Sequence, residues 1–307
     1  MKPITGTFID EITCDIPSQN WGQKEWETEF NTMKKAGIDT VILIRAGYRE
    51  MWAYQTEITD GYGQAHLAEL LLDQAHRCGM RFFFGCYDSG KIDHSCLGWE
   101  ADWEINKKAI PEIQQRFGSH PAFQGWYVSP ETCIASPGSL EIFRRYSDLM
   151  KEMSPEKPVL ISPYYPSWSY VSETREVRHH KFMEDWHQIL SHSPSIDIVA
   201  FQDGSCNFNN PGYPFSELKD YISETHELLK DLNIIQWNNV ECFGRDLPIK
   251  FPPIDWRILR KKMEIADPYV EKQITFEFSH FMSPNSMWLS GRNLYNRYQE
   301  DILGISE

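Results

Sequence analysis

The chain reads as α/β in class and predicts a single (β/α)8 TIM barrel, on three observations. Short apolar runs alternate with longer helical periodicities from one end of the sequence to the other, and eight runs read as strands, at 5–12, 39–46, 81–87, 123–129, 159–164, 196–203, 234–241 and 273–280. Most of them are continuous in apolar character, the pattern of parallel strands covered on both faces. No G-x-G-x-x-G or G-x-x-x-x-G-K-[ST] follows any run, which removes the usual phosphate cradle of the competing doubly wound sheet.

The helical stretches support this order. In "WGQKEWETEFNTMKKAGI", Trp26, Phe30 and Met33 form one face and Gly37 ends the helix just before the run "DTVILI". In "GQAHLAELLLDQAHRCGM", Leu67, Leu70, Leu71 and Ala75 recur at helical spacing and Gly79 supplies a C-cap. "FSELKDYISETHELLKDLN" places Ser216 as an N-cap ahead of a stripe of Leu218, Tyr221, Ile222, Leu228 and Leu229. No Gly/Ser-rich or charged linker divides residues 1–307, and no short-period repeat is present, so one domain is expected.

Composition narrows the function. A hydrophobic fraction of 41% with 24% charged residues is that of a folded globular chain. The formal charge of −14, with no run of Lys and Arg interleaved with aromatics, argues against a nucleic-acid partner. No segment is apolar for the roughly 18 residues that a membrane span needs. The start "MKPITGTFID" carries no signal core, so the chain as given is expected in the cytoplasm. Seven cysteines, an odd count without C-x-x-C, read as reduced thiols in the core. Aromatic residues reach 14% with 11 Trp, several near strand ends, which suits a carbohydrate ligand.

In a barrel of this kind the active face is built by the loops that follow the strands. Polar residues crowd at those ends: Asp10 and Glu11 after the first run, Arg45 after the second, Tyr87 and Asp88 after the third and Glu131 after the fourth. The second half adds Tyr164, Gln202, Asp203, Asn239, Glu241, Glu277 and His280. Strand alternation puts Tyr127, Ser129 and Glu131 on one face, and Trp237, Asn239 and Glu241 likewise. Both glutamates then face the mouth.

Two carboxyls across a mouth rimmed by Trp and Tyr suit glycosidic hydrolysis, in which one protonates the leaving oxygen and the other attacks the sugar or activates water. Arg45 is placed to keep one of them ionised. A strand-end acid often caps the next helix instead. Glu131, however, is followed by "TCIASPGS" and Glu241 by the proline-containing "CFGRDLPIKFPPID", so neither has an immediate helix to cap. Asp203 opens the long stretch "DGSCNFNNPGYP", although Asp-Gly is also an ordinary turn. The candidate substrate-binding residues are Glu11, Arg45, Tyr87, Tyr127, Tyr164, Gln202, Asp203, Asn239 and His280.

Other chemistries fit less well. His179, His180, His187 and His192 lie on one charged helical segment and share a face only in part, so no metal site is expected there, and no cofactor is implied. No G-x-S-x-G elbow is present. The alternatives are a carbohydrate-binding barrel without catalysis and a metal-assisted sugar enzyme using His94, Asp88 or the Asp10 and Glu11 pair.

The segments "TGTFIDEI", "GWYVSPE", "AFQD", "NNVECF" and "HFMSP", at the first, fourth, sixth, seventh and eighth strands, carry a resemblance over nearly the whole chain. They are similar to the bacterial family grouped as domain of unknown function 4434, barrels of glycosyl-hydrolase type. That family in turn resembles clan A of the retaining glycoside hydrolases, whose acid/base glutamate ends the fourth strand and whose nucleophile ends the seventh. The resemblance implies a glycosidase of an oligo- or polysaccharide with Glu131 as acid/base, Glu241 as nucleophile and Arg45 beside it. One position departs from the pattern: the clan's Asn before the acid/base is here Pro130, which fixes its own φ and holds Ser129 extended.

Overall fold

The computed structural model describes residues 1–12, 20–63, 66–93, 95–166, 174–204, 206–207, 213–244 and 251–305. Eight parallel strands close on themselves in chain order: β1 (Ile4–Ile9), β2 (Thr40–Leu43), β3 (Arg81–Gly85), β4 (Phe123–Val128), β5 (Val159–Ile161), β6 (Ile198–Gln202), β7 (Ile235–Asn239) and β8 (Lys272–Thr275). Closure is made by β1, which pairs Gly6 to Ile9 against Thr40 to Leu43 on one side and Gly6 and Thr7 against Ile274 and Thr275 on the other. All eight expected strands form. The expected runs 159–164 and 273–280 extend past the regular ladder: β5 ends at Ile161, although Tyr164 still bridges Gln202, and β8 ends at Thr275.

Alternation divides the apolar side chains into two layers. Phe8, Ile42, Phe83, Tyr127, Leu160, Ala200, Trp237 and Ile274 fill the barrel interior. Their sequence neighbours Phe82, Phe84, Trp126, Val128, Val199 and Phe201 point outward and pack beneath the helices. This two-sided burial is why most of the strands read as unbroken apolar runs.

The outer ring consists of α1 (Gln23–Lys35), α2 (Leu67–Cys78), α3 (Trp99–Phe117), α4 (Pro137–Met153), α5 (Arg175–His192), α6 (Phe215–Asp231), α7 (Trp256–Ala266) and α8 (Leu289–Tyr298). Gly79 ends α2 in the left-handed region at φ +71°, as its position predicts. Ser136 and Asp255 cap α4 and α7 by accepting from Ser139 and Arg257 backbone N–H groups. Ser216 is not the N-cap of α6: the helix starts at Phe215 with Pro214 in the cap position, because the fixed φ of proline already directs the chain into the first turn. Among the described residues no helix is long and apolar enough to cross a membrane.

A second, small sheet was not legible beforehand. It joins Gly47–Tyr48, Met51–Trp52 and Tyr62–Gly63 from the loop after β2 with Tyr87–Asp88 after β3. Tyr87 therefore leaves the barrel ladder, where the expected strand 81–87 had kept it. Gly47 permits the junction, since a Cβ there would lie 2.8 Å from both the Trp52 and the Tyr87 rings. The six described cysteines are all buried thiols; Cys14 lies outside the described residues.

Packing inside the barrel gives a sharp test. A Cβ on Gly125 would sit 2.2 Å from the Phe83 ring, whose strand is pinned on both sides. Gly125→Ala is expected to lower unfolding free energy by about 1–3 kcal/mol through overpacking, seen as a reduced denaturant midpoint with an unchanged slope.

Candidate active site

At the carboxyl ends of the strands lies a cavity of about 150 Å³. Asp10 enters it from beyond β1, Arg45 from beyond β2, Glu131 from beyond β4, Gln202 and Asn239 from the last residues of β6 and β7, and Glu241 from just after β7. The two glutamates share this single cavity with one arginine. Its aromatic wall is Phe8, Phe251 and Phe276. The expected rim of Trp and Tyr is not what surrounds it: Trp237 is 5% exposed and belongs to the barrel interior, and Tyr127 is fully buried.

Glu131 is delivered by a stitched strand end. β4 leaves the ladder after Val128, and Ser129 turns its hydroxyl inward to donate to the Ile44 carbonyl at 2.6 Å while accepting from the Cys86 N–H at 2.9 Å. Ser129 is thus a cross-strand tie and does not face the cavity as strand alternation alone suggested. Pro130 and Glu131 follow, five residues ahead of the cap of α4, so Glu131 caps nothing. Tyr127 Oη donates to Glu131 Oε1 at 3.4 Å. Burial raises the Glu131 carboxyl above the ordinary carboxylate range, and although Arg45, Gln202 and Tyr127 act in the opposite direction they do not cancel it.

Arg45 is fixed by Asp88, whose Oδ2 accepts from Nε at 2.8 Å. Burial opposes its charge, but Asp88, Asp10 and Glu131 together outweigh that and hold the guanidinium protonated. Gln202 Nε2 donates to the Ser162 carbonyl at 2.5 Å and its side chain also reaches Glu131. Asn239 Nδ2 donates to Ser162 Oγ at 3.1 Å. Its Oδ1, buried in the cavity wall, has no hydrogen-bond donor among the described residues.

Behind Glu241 is an arrangement that strand-end reading missed. Lys262 on α7 and Asp203 after β6 form an ion pair at 2.7 Å with neither side chain exposed. Lys262 Nζ donates to the Glu241 carbonyl at 2.8 Å, and the Glu241 N–H donates to Asp203 Oδ1 at 3.0 Å. The backbone of Glu241 is held on both sides by a buried charge pair. Asp203, expected to bind substrate, points to lysine and not into the cavity. The signal for Lys262 was present, since Leu259, Lys262, Met263 and Ala266 share the buried stripe of α7 and a lysine there requires a partner.

The remaining candidates are dispersed. His280 and Glu277 form an ion pair on the π-helical turn after β8, and Glu277 Oε2 accepts from the Asp10 N–H at 3.0 Å. Burial works against the His280 cation, but Glu277, with Asp10 and Glu11 behind it, outweighs burial and raises its pKa. His280 and Glu11 are nearly buried and are not cavity-lining residues. Tyr164 is half-buried beside β6, with its backbone bridged to Gln202. Tyr87 lines a different hollow. His179 stacks on Tyr221 at 3.8 Å and meets Glu224 at 3.0 Å, a contact between α5 and α6. Among the described residues no group of three His, Cys, Asp or Glu side chains is placed to hold a metal ion; His94 lies outside them.

Solved structures to which this chain is similar include barrels described as glycosidases. A Bacteroides thetaiotaomicron protein proposed to be an alpha-L-fucosidase matches with 38% identity and a TM-score of 0.88, over 97% of this chain and 92% of that one. An endo-beta-1,4-mannanase from Thermotoga petrophila shares the fold at 11% identity and a TM-score of 0.65, over 90% and 67% of the two chains. An intracellular xylanase from Thermoanaerobacterium saccharolyticum does so at 12% identity and 0.54, over 90% and 85%. No curated protein matches the sequence. The chain belongs to the family described as domain of unknown function (DUF4434), which matches residues 4–288.

Removing one member of the buried pair leaves the other charge without a partner. Lys262→Met is expected to cost about 3–5 kcal/mol of stability, and the double replacement Lys262→Met with Asp203→Leu to recover most of it. Chemical denaturation of the two variants checks this; equal losses would show that the ion pair is not what the site depends on.

Proposed function

We propose that this protein hydrolyses glycosidic bonds of an oligo- or polysaccharide with retention of anomeric configuration, Glu131 serving as acid/base and Glu241 as nucleophile. The observation that carries this reading is that both carboxyls line one small cavity in different surroundings: Glu131 is buried and raised in pKa, while Glu241 sits on a clamped backbone with Arg45 in the same cavity. A raised carboxyl keeps its proton toward neutral pH, which the departing glycosidic oxygen needs.

In the first step Glu131 gives its proton to the leaving oxygen as Glu241 attacks the anomeric carbon, forming a glycosyl ester and releasing the free alcohol. Glu131, now a carboxylate, takes a proton from water, whose oxygen displaces Glu241 and restores both groups. The Arg45 guanidinium, fixed by Asp88, stabilises negative charge on the carboxylates as it moves between them. Asn239 Oδ1 is available to accept from a sugar hydroxyl, a contact that Pro130 cannot make from the position before the acid/base. Phe251 and Phe276, both partly exposed, offer apolar surface to the sugar ring.

The similarity to the Bacteroides protein makes aryl fucosides the first substrates to test. Glu131→Gln is expected to lower kcat by about 10²–10⁴-fold, and Glu241→Gln to abolish turnover, in steady-state assays. Wild-type activity should fall as pH rises through the Glu131 pKa, above the ordinary carboxyl range, and Glu131→Gln should lack this basic limb. Product anomers resolved by NMR at early times report the stereochemistry. Inversion would remove Glu241 from the nucleophile role, since it implies carboxyls about 6.5–9.5 Å apart rather than about 5–5.5 Å.

A further inference from the structure

Asp10 lines the catalytic cavity but has no part in a chemistry that uses two carboxyls. We infer that it is a specificity-determining residue, its carboxyl accepting hydrogen bonds from hydroxyls of the sugar unit held in the cavity with Glu131 and Glu241. The inference rests on the glycosidase reading of the cavity and names the part of the substrate that is recognised.

Placement is the first argument. Side chains alternate at the end of β1: Phe8 fills the barrel interior, Ile9 packs in the outer layer, and Asp10 returns to the inner side at the cavity. It is 2% exposed there. Two ties fix this strand end to the turn after β8. The Asp10 N–H donates to Glu277 Oε2 at 3.0 Å, and the Phe278 N–H donates to Thr7 Oγ1 at 3.0 Å. Glu277 is itself buried and paired through Oε1 with His280 Nδ1. A carboxyl set on such a backbone is preorganised, so little conformational freedom is lost when it meets a ligand.

Hydrogen-bonding capacity is the second. Gln202 Nε2 and Asn239 Nδ2 are both turned to Ser162, one to its carbonyl and the other to its hydroxyl. Asn239 is 1% exposed, and its Oδ1 has no donor among the described residues. Of the charged groups that line the cavity, three are carboxyls, Asp10, Glu131 and Glu241, and the single described cation, Arg45, is already bonded to Asp88. The space is therefore rich in acceptors. Sugar hydroxyls suit it, because each brings an O–H and one carboxyl can accept from two neighbouring hydroxyls.

Electrostatics agrees with this placement. Asp10 raises the Arg45 pKa more than Glu131 does, and it also raises that of His280. Its carboxyl thus lies close to Arg45, and a hydroxyl bound to it stands in the same small space as the acid/base.

The test compares wild type, Asp10→Asn and Asp10→Ala on para-nitrophenyl fucoside, mannoside, xyloside and glucoside, then on the monodeoxy analogues of whichever is hydrolysed fastest. In the wild type, removal of one or two particular hydroxyls should lower kcat/KM by about tenfold or more, the loss of a hydrogen bond to a charged group. Asp10→Ala should lower kcat/KM on the parent glycoside by a similar factor and cost those deoxy analogues nothing further, because the bond they lack is already gone. The ratio between substrates does not depend on how much of a variant folds, and Asp10→Asn, which keeps the shape, should show the same cancellation in part. Equal losses on the parent and on every deoxy analogue would overturn the anchor and leave the glycosidase reading standing. If none of the four is hydrolysed, the glycosidase reading falls for these sugars and calorimetry with the free sugars and their deoxy forms decides. Binding that Asp10→Ala weakens by about tenfold, with no further loss for one deoxy form, upholds the anchor, and no binding to the wild type overturns it.

Discussion

Everything in this molecule follows from one constraint, that eight parallel strands are covered on both faces. With an aromatic and aliphatic layer inside the barrel and another beneath the helices, no solvated strand face remains for polar residues. Most are displaced to the strand ends, with a few such as Thr7, Gln236 and Gln273 staying buried within the strands, and the closed ladder gathers those ends around one small space. The same closure brings Asp10, Arg45, Glu131, Asn239 and Glu241 together from distant parts of the chain.

Gathering charges in a buried place forces them to pair. Two solutions coexist within the carboxyl-terminal face. Arg45 is held by Asp88 at the edge of the cavity, where its guanidinium also feels Asp10 and Glu131. Lys262 and Asp203 are sealed away completely, and each also makes a hydrogen bond to the backbone of Glu241. Such a pair adds little net stability, because desolvation offsets attraction. Its structural effect is directional: it leaves one backbone position for Glu241. In the same way Ser129 fixes the strand end that carries Glu131.

Much of this was legible beforehand, and for local reasons. Short runs, most of them continuously apolar, predict all eight strands, and the stripe of α1 and the left-handed Gly79 are visible in residue spacing. The elements that were not visible depend on contacts distant in sequence. The two-residue strands at Gly47, Met51, Tyr62 and Tyr87 are too short to carry a period, and they exist because neighbouring barrel loops meet. Phe251 and Phe276 line the cavity, yet in sequence they are ordinary apolar residues near a strand.

The sequence by itself determined the barrel and the kinds of residue at its carboxyl-terminal face, because burial on two faces and strand-end polarity are local patterns. Only the tertiary structure decided what each of those residues meets. Asp203 and Glu241 carry the same local signature, an acid at the end of an apolar run, but one turns to Lys262 and the other into the cavity. Tyr87 and Arg45 both follow barrel strands, but Asp88 separates the spaces they line. Partner choice among buried charges is set by geometry that closure of the barrel creates, and no single strand contains it.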